Sequence, residues 1–273
     1  MPTVPRHPWR YASLALFAAA CSHATPRLDA RSSEQTPLGA FELQYDPADK
    51  ESAGMVRRAV TEAAPRLARW GTLRRPVLVQ IFPSHDDLEQ AVDRVGYSWL
   101  RAWARYRIVF VQSPRSWSSS GATQAQMNEL LLHELTHCVM YQGAADEGDW
   151  QYKGIPIWFR EGMASVTADQ AYRRGTLAEL SRYLKARENR DPINDAENLY
   201  QRRSDIVYTT AHHAFAFLDE RYGEKGIRLV LEEMFQGRKF DAAFEAALGL
   251  SRKDFEDEFR RFVRMEGFRA QHR

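Results

Sequence analysis

Residues 128–143 read NELLLHELTHCVMYQG. His133, Glu134 and His137 occupy three positions in a run that is otherwise rich in Leu, Met, Val and Cys. Burying polar side chains is costly unless each finds a partner, so the partner has to be identified. Its boundaries are marked. Thr123 and Gln126 form a T-x-x-Q capping box after the Ser-rich SWSSSG, and Gly143 stands where a glycine would end a helix. One helix is therefore predicted from about Gln124 to Gln142. On it His133 and His137 lie only about 40° apart, one turn removed, with Glu134 beside them, while Leu131, Leu135 and Cys138 face away. Two imidazoles projecting together from a buried helix are what a metal ion requires.

The string is H-E-x-x-H, in which two histidines at i and i+4 ligate zinc and the intervening glutamate acts on a water that the metal activates. A catalytic zinc takes three protein ligands and leaves one position open, so a third ligand is expected downstream. The candidate lies in IPIWFREGMASV, residues 155–166. Pro156 suits the first turn of a second helix, and Glu161 follows one turn further in, among Trp158, Phe159, Met163 and Ala164. A carboxylate in that setting again needs a partner. The alternatives are a helix-start carboxylate paired with Arg160 or a nearby Lys, and Glu147 in ADEGDW as a reserve ligand.

HELTH at 133–137 followed by P-x-W-F-x-E-G-x-A at 156–164 resembles the peptidase MA-like group of gluzincins, zinc metallopeptidases whose third ligand is a glutamate. The resemblance is specific over residues 128–166 and continues more weakly through YTTAHHAFAFLDERYG. It implies an α+β zincin fold with a small N-terminal α/β lobe, a mostly helical C-terminal lobe and the active site between them. It also implies Zn2+ held by His133, His137 and Glu161, with Glu134 as general base. Ser165 stands where thermolysin-like members place an Asp that orients a histidine, which leaves that orienting group open. No G-A-M-E-N-like segment precedes the helix, which argues for internal cleavage over aminopeptidase action. Gluzincins commonly add a Tyr or His donor that stabilises the developing oxyanion. Here Tyr208 and His212, four apart in DIVYTTAHH, share one helix face. Tyr208 is the choice, because a phenol stays a neutral donor at pH 7; the alternative is a Tyr that packs its ring and sends its hydroxyl to solvent.

Outward from this core, AFELQY, PVLVQIF and RIVFVQ read as strands, residues 51–70 as a helix interrupted near Pro65, and HDDLEQAVDRV as another helix. By analogy with the group, RIVFVQ is the expected sheet edge along which a peptide would lie. From Thr123 onward the pattern is almost wholly helical, with TLAELSRYLKAR, TTAHHAFAFLDERYG, GIRLVLEEMFQG and SRKDFEDEFRRFVRM as further helices. Phe255 and Phe259 face inward on the last of these, whose charges form a solvated face. Cys138, about 100° from the metal-facing direction, reads as a small core residue. His212 and His213 read either as half-buried or as facing the cleft.

The first residues differ. MPTVPRHPWR carries Arg6 and Arg10 and no acid, and YASLALFAAA is a ten-residue apolar run ending in small residues, which together describe an export signal over residues 1–20. FAAAC resembles a bacterial lipoprotein cleavage box with Cys21 as the lipidated residue, although Ala18 stands where Leu is preferred; ordinary signal cleavage near CSHA is the alternative. Residues 21–37 read as a polar flexible tether and 38–273 as the metallopeptidase domain, with the α/β lobe at 38–120 and the helical lobe at 121–273. Loss of residues 1–20 removes two of the 38 basic residues and none of the 36 acidic ones, so the two signs then balance at 36. There is no basic stripe interleaved with aromatics, which argues against nucleic acid as a partner.

The expectation is an exported, lipid-anchored zinc peptidase of the bacterial cell envelope, facing the periplasm or the surface, touching the membrane only by its anchor and acting on peptide or protein substrates. The rival is a non-catalytic envelope protein that keeps zinc for stability or binds a partner. The intact H-E-x-x-H disfavours it, because a structural site has no need of Glu134.

Overall fold

The structure is a computed structural model that describes residues 26–186 and 190–271. The export segment and Cys21 lie outside the described residues. Five strands form one sheet: β1 (Ala30–Thr36), β2 (Gly39–Tyr45), β3 (Val77–Phe82), β4 (Ala102–Ala104) and β5 (Ile108–Gln112), in the spatial order β1-β2-β3-β5-β4. The central pairs β2–β3 and β3–β5 are parallel, and both outer pairs are antiparallel. The helices are α1 (Lys50–Leu67), α2 (His85–Val92), α3 (Gln124–Ala144), α4 (Ile157–Thr167), α5 (Leu177–Lys185), α6 (Ala196–Leu199), α7 (Ser204–Phe235), α8 (Phe240–Leu248) and α9 (Arg252–Gln271). The fold is thus α+β, with a small N-terminal sheet and a mostly helical remainder. No described helix is long and apolar enough to cross a membrane.

Four expectations are corrected. Residues 30–36, read as part of a tether, are β1, paired with β2 from Ala30↔Tyr45 to Thr36↔Gly39. ARSSEQT has no apolar face because its backbone ladder is satisfied by β2, and its positions alternate only between exposed and half-buried. The turn needs Gly39, whose φ is 147° and where a Cβ would meet Leu73 Cβ at 3.0 Å. Second, α1 runs through Pro65 to Leu67, because burial of Ala63, Ala64 and Leu67 holds the last turn against the one backbone hydrogen bond that the proline omits. Third, Gly143 does not end α3: the chain leaves through Ala145 in an extended conformation, with its N–H bonded to Tyr141 O, so no left-handed residue is required.

Fourth, β5 is not the sheet edge; it lies between β3 and β4, and the edge is the three-residue β4. Gln112 N–H donates to Arg101 O, Arg105 N–H donates to Ile108 O, and Trp103 pairs with Phe110. Antiparallel geometry then turns the backbone groups of Ala102 and Ala104 away from β5, toward the open edge.

One buried core runs without a break from the sheet (Phe41, Leu43, Val79, Ile81, Val109, Val111) through α1 and α3 to Phe215, Phe240, Phe244, Phe255 and Phe259. The inward phenylalanines of α9 are therefore core, as its sequence pattern predicts. A smaller cluster of Phe82, Leu88, Val92, Leu100 and Phe110 fills the space beneath α2.

Candidate metal centre and active site

The capping box forms as predicted: Thr123 Oγ1 accepts from Gln126 N–H, and Gln126 Oε1 accepts from Thr123 N–H. It starts α3 in the register that carries His133, Glu134 and His137 to one buried face. α4 is anchored beside it by its aromatic pair. Trp158 Nε1 donates to Glu256 Oε1 at 2.9 Å, and the Phe159 ring meets Phe240 and Phe215 edge-on at 4.9 and 5.4 Å between centroids. Gly162 lets α4 close onto α7, since a Cβ there would lie 2.2 Å from Ala211 O. The W-F-x-E-G string thus has a packing role for each fixed residue, and its outcome is the direction in which Glu161 points.

His133 Nε2 and His137 Nε2 lie 3.6 and 3.7 Å from Glu161 Oε2, and the three side chains bring ligand atoms within 4.8 Å of one another. These separations exceed a good N–H···O hydrogen bond. They are close to the edge of a tetrahedron whose ligands sit at about 2.0–2.2 Å from a central zinc, roughly 3.4 Å. Among the described residues His137 Nδ1 is buried without a hydrogen-bond partner, and its Nε2 has Glu161 alone beside it as a polar side chain at this spacing. Two imidazole nitrogens and a carboxylate oxygen, buried and converging, fit a zinc ion in donor type and spacing.

The charges agree. Burial pushes His137 down to about 3, toward the neutral form whose lone pair can ligate. Burial opposes the charge on Glu161, but His137, His133 and Arg160 together hold it down at about 2, as the carboxylate. Burial, reinforced by Glu161, lifts Glu134 to about 7 against the pull of His133 and a backbone hydrogen bond from Ala104 of the edge strand.

The site opens into a cleft of about 680 Å³ lined by β4 on one side and by α3, Arg160 and Tyr208 on the other. Tyr208 reaches this cleft, and its hydroxyl lies 2.6 Å from that of Tyr200. Burial and the nearby charge of Glu161 hold the Tyr208 phenol above its ordinary range, so it stays protonated. His212, the alternative donor, does not line the cleft; its Nδ1 is 3.0 Å from Ser165 Oγ. His213 Nε2 bonds Gly175 O. Glu147 is exposed and tied to Arg107 at 3.0 Å, away from the ligand cluster. Cys138 is buried in the core, its thiol donating to Arg105 O.

Sequence reasoning missed Gln170, whose Oε1 is 3.1 Å from His133 Nδ1, as well as Tyr200 and β4. Gln170 follows the end of α4 in a stretch with no periodic signal, and Tyr200 sits just past a single-turn helix. Neither offered a pattern to find.

Residues 71–265 match the family profile of the peptidase MA superfamily, and the chain belongs to that superfamily. Two solved structures of an M1 zinc metallopeptidase from Deinococcus radiodurans, one a point mutant and one without the mutation, are similar to it at a TM-score of 0.43. Identity is 15% and 14%, over 86% of this chain and 51% of those chains. The chain thus spans about half the length of those proteins. No curated protein matches the sequence.

Proposed function

We propose that the protein is a zinc-dependent peptidase. The observation that carries this reading is the convergence of His133, His137 and Glu161 at ligand spacing beside a fourth group, Glu134, that is not needed to hold a metal. Zinc, when bound, supplies a Lewis acid that polarises a carbonyl and makes water nucleophilic near neutral pH. Glu134, lifted to about 7, is suited to take a proton from the attacking water and to give one to the leaving amine. A peptide aligned along β4 would use the outward backbone groups of Ala102 and the carbonyl of Ala104, since the Ala104 N–H already serves Glu134. Tyr208 would donate to the carbonyl oxygen as negative charge develops there.

Export and lipid anchoring at Cys21, with a location in the bacterial cell envelope, belong to the same proposal and rest on the sequence YASLALFAAAC. Wild-type protein that fractionates wholly with soluble periplasmic contents, indistinguishable from Cys21→Ala, would end that part. The catalytic reading is tested by metal analysis of the purified protein alongside digestion of a broad peptide library. Near-stoichiometric zinc with chelator-sensitive cleavage is expected. Zinc without cleavage of any peptide would favour a non-catalytic metal-binding protein.

A further inference from the structure

Arg160 precedes Glu161 on α4 and lines the cleft. Its Nε is 3.6 Å from Glu161 Oε1, too far for a good hydrogen bond. No side-chain hydrogen bond is formed by its guanidinium among the described residues. The side chain is 35% exposed, walled in but reachable, and Tyr141, Tyr200 and Tyr208, which also line the cleft, lie near it. An arginine carries five N–H donors in a planar fork suited to carboxylates, and here they face the space in which a substrate would lie.

The charges around it sharpen the point. The carboxylates lining the cleft are Glu129, Glu134 and Glu161. Glu129 is taken by Arg173 at 3.0 Å and by Gln170, Glu161 is committed to the metal, and Glu134 is the base. Among the described residues no carboxylate lining the cleft is left free to receive a substrate amine. Cations are in excess. Arg101 donates through Nη1 to the carbonyls of Ser98 and Leu100, Arg174 donates through Nε and Nη2 to Ser165 and Gln170, and Arg94 and Arg105 lie over the rings of Trp103 and Phe110. These set a positive field along the cleft. Among the described arginines that line the cleft, Arg160 is the one that lies beside Glu161 and forms no side-chain hydrogen bond.

We propose that Arg160 is a specificity residue that binds a carboxylate of the substrate, either an acidic side chain or the free C terminus, close to the bond that is cut. The proposal rests on the peptidase reading for its location but can be tested by binding without turnover. The protein carrying Glu134→Gln, loaded with zinc, is titrated by calorimetry with short peptides in matched pairs. One set carries Glu or Gln at each position in turn with an amidated C terminus; the other is neutral throughout, with a free or an amidated C terminus. One set should show an acid-over-neutral preference of about 10- to 100-fold, as expected for charge-assisted hydrogen bonds, and the set that does so identifies the source of the carboxylate. Arg160→Gln on the same background should bring the ratio to about one at equal zinc content, and Arg160→Lys should keep part of it. A purely structural arginine that only neutralises Glu161 would change both members of each pair alike. A ratio of one in the Glu134→Gln protein, or a preference that survives Arg160→Gln, overturns the proposal. A preference that holds while the wild-type protein cuts none of these peptides would instead count against the peptidase reading.

Discussion

Gln170 Oε1 lies 3.1 Å from Nδ1 of His133 and 2.8 Å from Nη2 of Arg174, while Gln170 Nε2 donates to Glu129 Oε1 at 2.9 Å. The Arg174 guanidinium, which can only donate, and the Glu129 carboxylate, which accepts, fix the orientation of the amide. They also assign the Nδ1 proton to His133, leaving its Nε2 lone pair aimed at the ligand cluster. In this chain a glutamine thus orients His133, and Ser165, where the sequence resemblance expects an Asp, bonds His212 instead. Gln170→Ala should weaken zinc binding by about 10- to 100-fold with little change in fold, measured by competition against a chelator of known affinity. An unchanged affinity would show that packing alone orients the ring.

Ligands and base should separate cleanly on substitution. His133→Ala, His137→Ala and Glu161→Gln each remove a donor from a buried cluster and should lower zinc content, with turnover falling in parallel. Glu134→Gln keeps the shape and leaves the three ligand atoms in place, so zinc should remain while turnover is lost. Stoichiometric zinc and intact activity in Glu161→Gln would remove that residue from the site.

What the sequence disclosed follows from where chemistry restricts residue choice. His133, Glu134 and His137 were legible because helical spacing and burial leave few reasons for such residues in an apolar run. Glu161 was legible through the flanking Trp158, Phe159 and Gly162, whose packing roles constrain them. β4 was not legible: three residues span barely one alternation, and Ala102 and Ala104 carry no polar contrast. β1 escaped for the opposite reason, being polar at nearly every position, with its pairing invested in backbone groups. Gln170 acts through a single contact made by a loop residue, and only the folded chain brings it to His133.

Gly162 offers a test of packing. A Cβ there would lie 2.2 Å from Ala211 O and 2.5 Å from Phe215 Cβ, against backbone and a buried ring that cannot readily yield. Gly162→Ala should destabilise the protein by roughly 3 kcal/mol, at the upper end of overpacking costs, lowering the melting temperature by about 6–12 °C. Gly54→Ala in α1 is the control: its new methyl meets only Arg58 Nη1 at 3.8 Å, so stability should hold or rise by about 0.5–1 kcal/mol. Equal melting temperatures for the two variants would contradict the close α4–α7 approach.

Burial, together with the charges of His213 and Arg174, pushes His212 down to about 4 from its ordinary value of 6.5. The unfolded chain therefore binds the proton first as pH falls, and stability should drop between about pH 6.5 and pH 4 while being fully present above that window. Part of that drop belongs to this one residue. His212→Gln, which can still bond Ser165, should reduce the loss between pH 7 and pH 5 by roughly 1–2 kcal/mol, read from urea midpoints of the two proteins at each pH. Parallel curves would mean that His212 is protonated as easily in the folded protein as in the unfolded chain.

Tyr208 and Tyr200 share one hydrogen bond at 2.6 Å, which holds one proton between them and leaves the other hydroxyl proton free to donate elsewhere. If Tyr200 donates to Tyr208, the Tyr208 proton is the free one, and polarisation along the pair makes it a stronger donor. Both phenols are held above their ordinary range by burial and by Glu161, so neither loses its proton near neutral pH. Tyr208→Phe should lower kcat by about 10²- to 10³-fold with KM and zinc content little changed, the pattern of an interaction made only in the transition state. Tyr200→Phe should lower kcat much less, because Tyr208 keeps its own donor. His212→Ala should leave kcat nearly intact, since its ring is turned to Ser165 and away from the cleft. Normal turnover in Tyr208→Phe combined with severe loss in Tyr200→Phe would reverse the direction of the hydrogen bond and move the role to Tyr200.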